Sequence, residues 1–139
     1  MVGMANTEPL AGRSGGVILL GIAPRSARIQ GVQNVPEGVD RVFQAAVMID
    51  PPLVLPLPEV HQVEGVSIIK VIIPWGLPHV YCLDGRYLAR EGRYTGPMPA
   101  RKLRQLLIER GIIHFESRVH PDATVDDLDP EQVLSLIHI

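Results

Sequence analysis

Asn6-Thr7-Glu8-Pro9-Leu10-Ala11-Gly12-Arg13-Ser14-Gly15-Gly16-Val17-Ile18-Leu19-Leu20-Gly21-Ile22 is the stretch whose reading decides the fold. Its first part is turn chemistry, with Asn, Pro, Ser and three glycines and no apolar period. Its second part is a short apolar run, Val17 to Leu20, with glycines on both sides. Such a run suits a strand buried on both faces and entered through a glycine turn. A buried helix would need a longer run and would not tolerate Gly15, Gly16 and Gly21 so closely spaced. The reading predicts a central strand over residues 16–22, with some other group approaching its glycine-edged start.

Composition sets the class. A chain of 139 residues is one domain with room for a terminal extension. Aromatics make up only 4%, so the core must be built from Val, Ile and Leu. The 13 prolines argue for many short elements rather than long helices. Cys82 is alone and reads as a buried small hydrophobe. Met1–Leu10 has no basic start and no apolar run, and nothing approaches the roughly 18 apolar residues of a membrane span. The expected location is cytoplasmic. Charge is uneven: residues 86–118 carry eight basic and three acidic side chains, whereas residues 119–139 carry five acids and no Lys or Arg. The middle block would attract a polyanion and the tail would repel one.

Outward from the first strand, Ala23–Ala27 turns the chain and Arg28–Val32 alternates like a strand, which implies a hairpin. Asn34 can cap a helix over 36–49, with Pro36 in its first turn and Val39, Val42, Phe43, Ala46, Val47 and Ile49 at helical spacing. Asp50-Pro51-Pro52 stops it. Leu53–Pro58 is extended by its prolines. Glu64-Gly65 joins Glu59–Val63 to Val66–Ile73, the strongest strand in the chain, and Asp84-Gly85 joins Val80–Leu83 to Tyr87–Arg90. Pro99 opens a helix with Leu103, Leu106 and Leu107 on one face, ended by Gly111. Asp129 caps a last short helix. This order predicts an α+β fold: a mixed, largely antiparallel sheet, two packing helices and a short C-terminal helix.

Few reactive constellations are on offer. Gly12-Arg13-Ser14-Gly15-Gly16 lacks the lysine and the following helix of a phosphate loop, although its amides could form an anion-binding concavity. The five histidines show no metal-ligand spacing, Ser14 lies in no nucleophile elbow, and Asp126, Asp127 and Asp129 lack calcium-loop spacing. No catalytic residue, metal or cofactor is expected. The informative stretch is Asp84–Thr95. In an extended strand Arg86, Leu88 and Arg90 share one face and Tyr87 and Ala89 the other. Arg93 follows Gly92, and Arg101, Lys102 and Arg104 begin the next helix. Arginine forks interleaved with tyrosine are what a phosphate-backbone surface requires, although a solvated hairpin would carry similar charge.

Several blocks together resemble a known family. Ala5-Asn6-Thr7 and Gly15-Gly16-Val17-Ile18-Leu19-Leu20-Gly21-Ile22 resemble the core of the AlbA-like domain of the Schlafen family, also described as divergent AAA. Gln30-Gly31-Val32, Ile49-Asp50-Pro51-Pro52, Val71-Ile72-Ile73-Pro74 and Tyr87-Leu88-Ala89-Arg90-Glu91-Gly92 look like its later blocks, in order. Agreement runs over residues 5–111; residues 112–139 resemble an acidic connector with a short helix. The resemblance implies a DNA-binding module of a transcriptional regulator. Family members carry a strand and helix with a Glu-x-x-x-Phe-Lys block before the Ala-Asn-Thr turn, so this chain looks truncated at its start, and nuclease acids of that block are not carried over. The loop over residues 8–14 is longer than the usual turn.

The expectation is therefore a non-enzymatic nucleic-acid-binding module, with DNA ahead of RNA. Arg86, Arg90, Arg93, Arg101, Lys102 and Arg104 would contact phosphates, Tyr94 would stack on a base, and Arg13 would add a contact. Asn6, Thr7, Gly15, Gly16, Gly21 and Gly92 are the family-motif positions. A Schlafen-type endoribonuclease is the first alternative; it would need paired acids near the basic groove, and the sequence offers only Asp84 and Glu91 there, which the ordinary charge balance of a hairpin explains. A protein-interaction or homo-oligomerisation module is the second.

Overall fold

A computed structural model describes residues 1–7 and 15–111. Along the chain the elements are α1 (Val2–Ala5), β1 (Gly15–Leu20), α2 (Val35–Val47), β2 (Glu59–Val63), β3 (Val66–Pro74), β4 (Cys82–Leu83), β5 (Arg86–Glu91), β6 (Tyr94–Pro97) and α3 (Ala100–Glu109). The fold is α+β, as its order of elements predicts. The acidic connector and its short helix lie outside the described residues, as does Arg13.

The strands form two three-stranded sheets, β1-β3-β2 and β4-β5-β6, rather than the single sheet expected. Every pairing is antiparallel. Pro74, Gly76 and Pro78 separate the two ladders, because proline cannot extend a ladder and this run turns the chain away. The centre of the first sheet is β3, not β1. Ile69, Val71 and Ile73 of β3 are fully buried, and β3 pairs on both sides. β1 pairs only with β3 and buries one face: Ile18 and Leu20 pack on the core, while Val17 and Leu19 are 49% and 44% exposed. Four apolar residues in a row mimic two-sided burial, although only alternate ones are used.

Local chemistry sets the connections. Ile22 bridges Ile29, so the first hairpin exists as a single bridge rather than a second strand. Asn34 caps α2 by accepting from the Glu37 amide at 3.2 Å while its own amide donates to the Glu37 carboxylate at 3.3 Å. Val42 and Ala46 of α2 are buried toward β3. Glu64-Gly65 and Asp84-Gly85 both have positive φ at each residue, the type I′ geometry that matches strand twist. A further hairpin, β5–β6, has no counterpart in the sequence reading: Tyr94-Thr95-Gly96-Pro97 carries weak strand signals and acquires its pairing from β5.

What approaches the glycine-edged start of β1 is the chain's own α1. A Cβ on Gly16 would lie 2.9 Å from the Met4 sulfur, and one on Gly3 would lie 2.9 Å from Thr95 Cγ2 and 3.2 Å from the Arg90 amide nitrogen. Missing side chains on both partners let this one-turn helix wedge between the two sheets. Beyond it, the buried Asn6 side chain makes three hydrogen bonds. It donates to the carbonyls of Tyr81 and Leu88 at 2.8 and 2.9 Å and accepts from the Tyr81 amide at 2.8 Å. Thr7 donates back to the Gly3 carbonyl at 2.8 Å. Arg110, at the end of α3, donates to the Ala5 carbonyl at 3.1 Å and to the His79 carbonyl. Two apolar clusters result. One lies between α1, α2 and β3; the other lies under α3 and contains Val80, Ala89, Met98 and Leu106.

Asn6→Ala should destabilise the domain by about 3 kcal/mol, because three buried backbone groups lose their partner. The isosteric Asn6→Asp should do comparable harm, having no N–H to give to two carbonyls. Thr7→Ala should cost about 1 kcal/mol or less. Urea unfolding decides: a midpoint unmoved by either Asn6 variant would show that the clasp contributes nothing. Arg110→Lys should fail to replace Arg110, since only the forked guanidinium reaches two carbonyls at once. Amide exchange in α3 should accelerate in that variant, and unchanged exchange would refute the strut.

Candidate nucleic-acid interface

The β5–β6 hairpin turns at Gly92-Arg93, with Glu91 paired to Tyr94 and Gly92 at φ 59°. Glycine at the first position of a two-residue turn permits the backbone that brings β6 back. The division of faces read from the strand period is present. Leu88 packs toward the larger core beside α1, and Ala89 joins the cluster beneath α3. Arg86 and Arg90 therefore project with Leu88 on the α1 side. The amino group at Met1 is held below its ordinary pKa, first by burial and then by the Arg90 guanidinium, which agrees with that placement.

Leu103, Leu106 and Leu107 turn α3 inward, as their spacing predicts. Arg101 and Arg104 consequently stand on its outer surface with Gln105 and Ile108. Lys102 Nζ lies 4.0 Å from a Glu91 carboxylate oxygen. The single surface expected for these cations is thus split across the second sheet, because α3 packs on the Ala89 face while Arg86 and Arg90 occupy the opposite one. Arg93 sits on the turn between the two and is exposed.

Among the described residues, no carboxylate lies within 4 Å of Arg86, Arg90, Arg93, Arg101 or Arg104. By contrast Arg41 and Lys70 are engaged by Glu37 and Glu59 at 2.6 and 3.0 Å. Tyr94 is 81% exposed beside Arg93. Arg25 and Arg28, on the turn after β1, likewise have no carboxylate within 4 Å among the described residues, a pair that their own hairpin signal could have marked. The motif positions are structural: Asn6 and Thr7 form the clasp, Gly16 admits α1, and a Cβ on Gly21 would press within 3.0 Å of the Gly31 backbone.

Acidic chemistry is sparse here. Asp84 lies in the turn before β5 and Glu91 at the far end of that strand, about 20 Å apart or a little more at about 3.3 Å per residue, so they do not form a pair. No group of three or more His, Cys, Asp or Glu side chains among the described residues is placed to hold a metal ion. No described helix is long and apolar enough to cross a membrane.

Comparison with known proteins gives this geometry a family. A family model described as "Schlafen, AlbA_2" matches residues 1–99. No curated protein matches the chain. Among solved structures, the DIP2311 protein from Corynebacterium diphtheriae is similar, with a TM-score of 0.58 and 19% identity. That likeness covers 96% of this chain and 22% of the other, so this chain spans about a fifth of the protein it matches and shares its fold over that span. With the model matching most of the sequence, the chain belongs to the Schlafen AlbA_2 family.

Proposed function

We propose that this domain binds nucleic acid, DNA in preference to RNA, as the recognition module of a transcriptional regulator, and does so without cleaving it. The observation that carries the reading is the hairpin turn. Among the described residues Arg90 and Arg93 have no carboxylate within 4 Å, and Tyr94 beside them is 81% exposed. Unpaired guanidiniums are suited to phosphate oxygens, and an aromatic ring left in water is suited to stacking on an unpaired base. Family membership agrees, since Schlafen AlbA_2 points to a nucleic-acid-related domain.

Two cation sets on opposite sides of one sheet cannot lie flat on the same stretch of duplex. In the proposed mode the turn leads, with Arg86 and Arg90 following one phosphate strand. Arg101 and Arg104 serve a second segment, or a single strand bent around the hairpin. The two modes differ in salt dependence. Contacts by Arg86, Arg90 and Arg93 alone give a slope of log K against log salt of about −3 on duplex DNA, and all six cations give about −5.

Labelled duplex and single strands titrated across salt concentrations will separate these modes, and affinity that does not change with salt would remove the proposal. Arg90→Ala and Arg93→Ala should each lower duplex affinity and shrink the slope by about 1, with no loss of folding. Tyr94→Ala should weaken single-strand binding by about 1–3 kcal/mol and duplex binding less. Val71→Asp, in the core of β3, should instead unfold the domain. Transfer RNA incubated with the protein and a divalent cation should stay intact; cleavage would favour an endoribonuclease.

A further inference from the structure

The first sheet ends on β2, and its register fixes which backbone groups that edge leaves free. Glu64-Gly65 is a two-residue turn between the paired residues Val63 and Val66. Such a turn bonds its first carbonyl to its fourth amide, so Val63 and Val66 are a hydrogen-bonded pair. Alternation makes His61 with Ile68 and Glu59 with Lys70 the other bonded pairs. The Ser67 carbonyl agrees, since it turns away from Gln62 and accepts from the Val32 amide at 2.7 Å. Val60 and Gln62 therefore point their N–H and C=O groups out of the sheet, where no described strand stands.

Proteins usually blunt such an edge. β4 is met along its outer side by Asp50, which exchanges two backbone hydrogen bonds with Cys82 at 2.9 and 2.8 Å, and β6 ends in Pro97. β2 has no proline, lysine or bulge within it. Its apolar residues are uncovered as well: Val60 is 46% exposed, and Leu57, just before the strand, is 78% exposed. On the outer face, Lys70 Nζ and His61 Nε2 both lie 3.0 Å from one Glu59 carboxylate oxygen. The second Glu59 oxygen has no partner among the described residues.

We propose that β2 pairs with β2 of a second copy of this chain, antiparallel about a two-fold axis at Val60, to make one six-stranded sheet. The strand is self-complementary in that register. Val60 lies across from the partner's Val60 and exchanges two hydrogen bonds with it. The Gln62 amide meets the carbonyl of the partner's Pro58, whose missing N–H is tolerated at the start of an edge strand. Two-fold symmetry makes this four backbone hydrogen bonds. Glu59 stands opposite the partner's His61, at the closer, non-hydrogen-bonded spacing of about 4.5 Å between Cα atoms. Leu57 stands opposite the partner's Val63. Moving the axis to His61 would set two imidazoles face to face and oppose Val60 to the partner's Gln62. An unrelated extended peptide would meet the same backbone groups without these side-chain matches. A contact one strand wide falls below the size of permanent interfaces, so association is weak, with Kd on the order of 100 µM.

Sedimentation equilibrium of the full 139-residue chain, from about 10 µM to about 1 mM, should follow a monomer–dimer equilibrium. Amide exchange read by NMR should slow at Val60 and Gln62 as concentration rises, while Thr95 on β6 should not respond. Val60→Pro removes only an outward N–H, which an edge strand tolerates, so it should keep the fold and weaken dimerisation at least about tenfold. His61→Glu, which sets carboxylate against carboxylate across the interface, should weaken it without touching any backbone bond. The proposal is overturned by a chain that stays monomeric throughout that range, by a dimer in which Val60 and Gln62 exchange as fast as in the monomer, or by a dimer that either folded variant leaves at full strength. No nucleic acid enters these measurements, so their outcome is separate from that of the salt-dependent binding above.

Discussion

Three hydrogen bonds from one buried amide organise this domain. Asn6 satisfies the amide and carbonyl of Tyr81 and the carbonyl of Leu88, all of them backbone groups that the short second sheet leaves unpaired by its own ladder. β4 has only two residues, Cys82 and Leu83, and a strand that short cannot hold itself in register. Unpaired buried backbone groups cost far more than a made hydrogen bond returns, so the sheet depends on an outside donor and acceptor at this point. An asparagine side chain supplies both from one residue. The same residue ends α1, and so the wedge between the sheets and the completion of the second sheet are one event.

That dependence explains the glycines. α1 is one turn long and has no stability of its own; it is helical because tertiary contacts hold it. Those contacts bring Gly3 against the backbone of Ala89 and Arg90 and seat the Met4 side chain over Gly16, space that a Cβ at either glycine would take. Arg110 completes the arrangement from the other side by tying α3 to Ala5 and His79. The N-terminal turn therefore receives a strand edge from the first sheet, a hydrogen-bond set from the second, and a cation from the last described helix.

Much of this was legible in the residues, and what was not has identifiable causes. Glu64-Gly65 and Asp84-Gly85 are local signals whose backbone demand only a few residue pairs meet, so both hairpins were visible. Asn34 with Glu37 and the spacing of Val42 and Ala46 marked α2 for the same reason. The rank of β1 was not visible, because an apolar run does not say which alternate residues face the core. β6 and α1 were missed because their conformations come from pairing and packing, not from their own sequence. The blocks Ala5-Asn6-Thr7 and Gly15-Gly16 carried the family, while what those residues do became apparent only when the contacts of Asn6 and Gly16 were seen.

The placement of arginines shows how one local rule decides a site. Alternation along β5 was read correctly, with Arg86, Leu88 and Arg90 on one face. Which face α3 would cover depended on Ala89, a small residue over which a helix can pack closely, flanked by Tyr87 and Glu91. Once Leu103, Leu106 and Leu107 settled there, Arg101 and Arg104 had to point outward on that side, and Arg86 and Arg90 were left on the other with Leu88. Leu88 accepts through its carbonyl from Asn6, so the clasp that closes the sheet also holds β5 in place between Arg86 and Arg90. A single charged surface would have required α3 to cross the opposite face, where α1 already stands.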